Sequence, residues 1–159
     1  MSPDLLTFLT AATGVAAALV GGIFFAFSSF VMAGLGRAGP EAGTKAMQQI
    51  NITVINPLVF LFLLGTAVLG AVVAAMALIS TSAGLFPTLG AALYIFGCIG
   101  VTGTRNVPLN NALERVDAGT PEGNAVWEDY LRRWTFWNHV RTLACIGSAG
   151  FILAGALQM

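Results

Sequence analysis

Three long stretches of the chain carry no charged side chain: between Asp4 and Arg37, between Lys45 and Arg105, and after Arg141. A helix crossing the hydrocarbon core of a bilayer needs about 20 mostly apolar residues at a rise of about 1.5 Å each. The first stretch predicts one span, residues 5–34. The second is too long for one helix and is broken at Ser80-Thr81-Ser82-Ala83-Gly84, with Pro87 just beyond. It predicts two spans, 57–79 and 85–104, joined by a tight turn. The last stretch predicts a fourth span, 137–157, with its polar residues gathered at its start. The expected fold is all-α and single-domain: an integral membrane four-helix bundle with short cytoplasmic helices.

Composition agrees with this pattern. Of 159 residues, 57% are hydrophobic and 9% charged, where a soluble domain carries about 25% charged. Seven Lys and Arg balance seven Asp and Glu, so the basic footprint of a nucleic-acid binder is missing. Cys98 and Cys145 each lie in an apolar run and follow neither a disulfide framework nor a metal-ligand spacing. No basic residue precedes the first apolar run, which is also longer than a signal-peptide core, so this span is expected to be retained. Every Lys and Arg belongs to or borders the connections 36–50 and 105–136. The positive-inside rule then puts those connections in the cytoplasm and both termini outside a cell membrane crossed several times.

Contacts between helices in lipid favour small residues at a four-residue spacing. Gly14, Ala18, Gly22 and Ala26 form such a line on the first span, with Gly70 and Ala74 on the second and Gly147 and Gly150 on the last. The connections are expected to be partly helical. Pro40 opens a helix through Asn51, and Asn56-Pro57 caps the second span. Leu109, Ala112, Leu113 and Val116 follow an amphipathic spacing from Pro108. Thr120-Pro121-Glu122 starts a further helix that leads toward the last span.

No hydrolase, kinase or dinucleotide motif is present. One histidine and no acid inside a span argue against a zinc, di-iron or bis-histidine haem site, and nothing else in the chain supports a haem on His139. The missing intramembrane acid also argues against proton-driven transport. The remaining candidate chemistry lies at one membrane edge. Trp134, Asn138 and Arg141 fall at i, i+4 and i+7 on one helical face, with His139 about 100° around from Asn138. Asn106 and Asn110 leave the third span at the same depth, and Gln48, Asn51 and Asn56 approach it from the other connection. Each has a plainer use. Trp127, Trp134 and Trp137 suit an interfacial belt, Arg141 suits a snorkelling position, and Asn56 and Asn106 suit helix caps beside prolines.

Taken in order, Ala46-Met47-Gln48-Gln49-Ile50-Asn51, Asn56-Pro57, Asn106-Val107-Pro108-Leu109-Asn110 and Trp134 through Trp137-Asn138-His139-Val140-Arg141-Thr142 make the chain resemble the anthrone oxygenase-like membrane family. That resemblance implies an oxygenase that uses neither flavin nor metal, with dioxygen as co-substrate and an activated aromatic methylene as substrate. It implies His139 as base, with Arg141 and Asn138 stabilising the enolate or phenolate oxygen. Trp134 or Trp137 would stack on the planar substrate, and Asn106 and Asn110 would orient the substrate or His139. Expected partners are membrane lipid and a small aromatic molecule, and a homo-oligomer stays open. The competing readings are a non-enzymatic membrane protein binding a quinone, lipid or partner subunit, and a small transporter of aromatic compounds.

Overall fold

The computed structural model describes residues 2–80 and 84–159. The turn expected at Thr81, Ser82 and Ala83 lies outside them. Helix α1 (Pro3–Arg37) is followed by α2 (Pro40–Thr53), α3 (Pro57–Ser80), α4 (Leu85–Glu114) and α5 (Pro121–Ala156). All but α2 are long and apolar enough to cross a membrane, and no strand occurs among the described residues.

Local chemistry sets the helix ends. Ser2 Oγ accepts from Leu5 N at 3.3 Å and Thr120 Oγ1 from Gly123 N at 3.0 Å, each just before a proline in the first turn. Asn56 Oδ1 accepts from Val59 N at 3.0 Å to open α3. Gly39 adopts φ 91° at the start of α2, a left-handed conformation that suits a residue without Cβ.

Helix α5 is the axis of the bundle. It packs on α1 and α4 along the membrane half and on α2 at the charged end, while α3 leans on α1 and α4. Trp127, Tyr130, Trp134, Asn138, Arg141, Cys145, Ser148 and Ile152 form one buried stripe at steps of three or four. That stripe is continuous from the cap into the membrane half, so the cap helix and the fourth predicted span are one helix. The helix expected to begin near Pro108 is likewise the continuation of α4. A wide turn at Thr102–Asn106, with backbone hydrogen bonds reaching five residues, precedes Pro108 and tolerates its missing N–H.

The small-residue line expected on α1 is not its contact face. Of that line Gly14 is buried, whereas Ala18 and Gly22 are exposed, and the buried face of α1 is Thr13, Gly14, Ala17, Val20 and Gly21. A Cβ on Gly14 would meet Leu153 Cγ at 2.7 Å, and one on Gly21 would meet Cys145 Cβ at 3.0 Å. A strict four-residue step drifts around a helix of 3.6 residues per turn, so the contact face alternates threes and fours. Gly70 and Ala74 do lie inward on α3, whereas Gly150 on α5 is exposed with nothing near it.

Candidate functional site

Between the membrane half and the cap lies a buried polar cluster centred on Arg141, whose residue is only 4% exposed. Its Nη2 donates to Asn138 Oδ1 at 2.7 Å and its Nη1 to Thr102 Oγ1 at 3.2 Å. Its Nε is buried without a hydrogen-bond partner. The guanidinium carbon stands 4.2 Å from the centroid of Phe24 and 5.1 Å from that of Trp134, so aromatic faces supply part of its electrostatic compensation. Among the described residues no carboxylate pairs with it.

Neutral hydrogen bonds hold this cation in place. Asn138 Nδ2 donates to Phe24 O at 2.7 Å and to Ser28 Oγ at 2.8 Å. Thr142 Oγ1 lies 3.2 Å from Ser28 Oγ and donates to Asn138 O at 2.9 Å. Thr102 Oγ1 donates to Cys98 O at 2.7 Å. Wide turns at Phe27–Val31 on α1 and at Leu93–Gly100 and Thr102–Asn106 on α4 flank the cluster. Such turns recur at functional sites because they rotate the downstream side chains out of the regular helical register.

A second group sits toward the cap. Asn110 Oδ1 accepts from Trp134 Nε1 at 2.8 Å and from Tyr130 Oη at 2.9 Å. Asn106 Nδ2 donates to Trp134 O at 3.2 Å, and its Oδ1 is buried without a partner. The rings of Trp127, Tyr130 and Trp134 stack in succession at 5.8 and 5.9 Å.

The expected site residues therefore divide. Arg141, Asn138 and Trp134 meet in one cluster, and Asn106 and Asn110 bond to Trp134 on the cap side. His139 is exposed, on the side of α5 away from that cluster. Trp137 lies partly buried under the Arg105 guanidinium at 4.9 Å. Gln48 ties α2 to the end of α4, donating to Leu113 O at 2.9 Å and Val116 O at 3.0 Å. Asn56 caps α3, and Asn51 is partly buried on α2, beside Tyr130. Ser28, Thr102 and Tyr130 were not expected at the site. For Ser28 and Thr102 the available signal was a hydroxyl inside an apolar run, which is weak because helical Ser and Thr commonly bond to their own backbone.

These features define a multi-pass helical membrane protein with a buried cation held by neutral ligands. The profile of the anthrone oxygenase family matches residues 53–151, more than half of the chain, and the chain belongs to that family. The matched segment contains Thr102, Asn106, Asn110, Trp134, Asn138, His139 and Arg141, and leaves out Phe24, Ser28, Gln48 and Asn51. No curated protein and no solved structure matches the chain.

Proposed function

We propose that the Arg141 cluster is an oxyanion site for oxygenation of an activated aromatic methylene by dioxygen. The carrying observation is a guanidinium buried at membrane depth with neutral ligands and one N–H unused. An uncompensated charge in such a place is costly, which makes it a functional site by default and complementary to an anion. Loss of a proton from a methylene conjugated with an aryl ketone places negative charge on the ketone oxygen. Arg141 Nε–H faces that oxygen, Asn138 fixes the guanidinium, and Phe24 and Trp134 flank the planar rings.

The carbanion supplies the electrons. One passes to dioxygen, the carbon radical and superoxide combine to form the C–O bond, and the peroxide collapses to a ketone with release of water. The methylene and dioxygen thus become a carbonyl and water. In this reading the substrate arrives from the lipid between helices, with its oxygen toward Arg141 and its C–H edge toward the exposed side of α5. His139, which lies outside the cluster on that side, is the proposed proton acceptor, and His139→Ala tests that assignment. Lipid surrounds the bundle, and the positive-inside rule puts the charged cap in the cytoplasm and the termini outside.

The test is oxygen uptake by the detergent-purified full chain given a polycyclic anthrone, with autoxidation subtracted. Arg141→Gln removes the oxyanion partner and is expected to lower turnover about 10²- to 10³-fold. His139→Ala is expected to lower it by the about 10²- to 10⁴-fold of a general base. No uptake above background from folded protein overturns the reading and leaves the cluster as a binding site for a quinone or lipid.

A further inference from the structure

Cys98 on α4 and Cys145 on α5 are both free and fully buried, at 0% exposure, in the same core cluster. They lie beside a close approach of the two antiparallel helices, where a Cβ on Gly97 would stand 2.5 Å from Ala144 Cβ. Both side chains belong to the one buried cluster that also holds Ala17, Tyr94 and Ala149.

Their position relative to Arg141 is equally regular. Cys98 precedes Thr102 by four residues and Cys145 follows Arg141 by four. The thiol pair and the Arg141–Thr102 hydrogen bond are therefore neighbouring rungs between the same two helices, one turn apart. The guanidinium supplies the positive charge that a thiolate needs at this depth. Full burial keeps bulky thiols such as glutathione away, whereas a small neutral peroxide diffuses through lipid and between side chains.

We propose that Cys98 and Cys145 form a two-electron redox site, which hydrogen peroxide converts into a disulfide between α4 and α5. In the first step a thiolate sulfur attacks one peroxide oxygen. The S–O bond forms, the O–O bond breaks, and the leaving hydroxide takes the thiol proton to become water. In the second step the other sulfur attacks the sulfenic acid. The S–S bond forms, the S–O bond breaks, and a second water leaves with the remaining thiol proton. Two thiols are oxidised by two electrons, and one peroxide is reduced to two waters. The new bond joins covalently the helices that hold Thr102 and Arg141. The inference stands independently of any oxygenase activity.

The full chain in detergent is titrated with hydrogen peroxide, quenched, denatured and alkylated with a mass-tagged maleimide. The expected result is two tags before oxidation, simultaneous loss of both, an intact mass lower by two hydrogens, and two tags again after dithiothreitol in denaturant. In Cys98→Ser and Cys145→Ser the two-hydrogen mass loss is expected to vanish, and the thiol that attacks peroxide is expected to gain oxygen mass in the variant that retains it. The intact-mass measurement on the unmodified sequence stands alone if a variant misfolds. The proposal is overturned if the unsubstituted chain loses its tags independently with added oxygen mass, or forms a disulfide between two copies. Retention of both tags while a free thiol in the same tube is oxidised also overturns it.

Discussion

In the membrane half, the fully buried residues through which the helices meet are mostly small, Ala17, Val20, Cys98, Cys145 and Ala149, together with Tyr94. At the charged end they meet through Met32, Met47, Leu113, Trp127, Tyr130 and Trp134. The difference follows from the surroundings of each half. Lipid offers little hydrophobic drive for association, so helices there gain from close approach and dispersion, which small residues permit. Next to water, burying a large aromatic is itself strongly favourable, so the cap is built from bulk. Arg141 and its neutral ligands occupy the junction, where helices are tightly placed on one side and aromatic faces are available on the other.

This contrast predicts different responses to substitution. Trp127 is 2% exposed and stacks on Tyr130, so Trp127→Ala is expected to cost about 3–5 kcal/mol, read as a lowered thermal unfolding midpoint in detergent. Equal stability of the two proteins would refute a cap held by aromatic bulk. In the membrane half the vulnerable change runs the other way, from small to large. Gly97→Leu collides with Ala144 and is expected to cost about 1–3 kcal/mol by the same measurement, whereas Gly22→Leu, on an open face, is expected to leave the midpoint unchanged. Similar effects at both glycines would remove the distinction between contact face and lipid face.

Smaller effects sharpen the description of the cap. Gln48→Ala removes the donors to the Leu113 and Val116 carbonyls and is expected to cost about 1 kcal/mol, with faster amide exchange near the end of α4. The smallest effect belongs to the exposed Glu41–Lys45 pair at 2.6 Å. The hydrogen bond from Lys45 and its charge hold the Glu41 carboxyl below the ordinary carboxylate range. A depressed carboxyl contributes stability above its unfolded pKa and loses it as pH falls through the folded value. Glu41→Gln is therefore expected to be slightly less stable than the original at neutral pH and equal to it in acid. A difference persisting in acid would assign the effect to packing.

How much of the fold and the site is legible in the sequence varies by residue. Charge-free stretches suffice to find helices that need only length and apolarity, and the cap of α3 at Asn56 follows from one Asn-Pro step. The i, i+4, i+7 spacing correctly placed Trp134, Asn138 and Arg141 on one buried face of α5. It left open which neighbours that face meets. Ser28 and Phe24 come from a helix more than 100 residues away in sequence, and Thr102 comes from the interior of a wide turn. A wide turn rotates the downstream residues by about 100° relative to a regular helix, and single-chain spacing does not reveal it.

The sequence by itself determined the class of the protein: an all-α chain with four membrane-length helices and every basic residue near one end. It did so because the cost of charge in lipid is large and is incurred residue by residue, without reference to neighbours. Only the tertiary structure decided which residues share a site. It turned His139 to the exposed side, made Gln48 a tie between helices, and brought Cys98 opposite Cys145 and Thr102 opposite Arg141. Those outcomes depend on where helices cross and how closely, and crossing geometry is a property of pairs of surfaces.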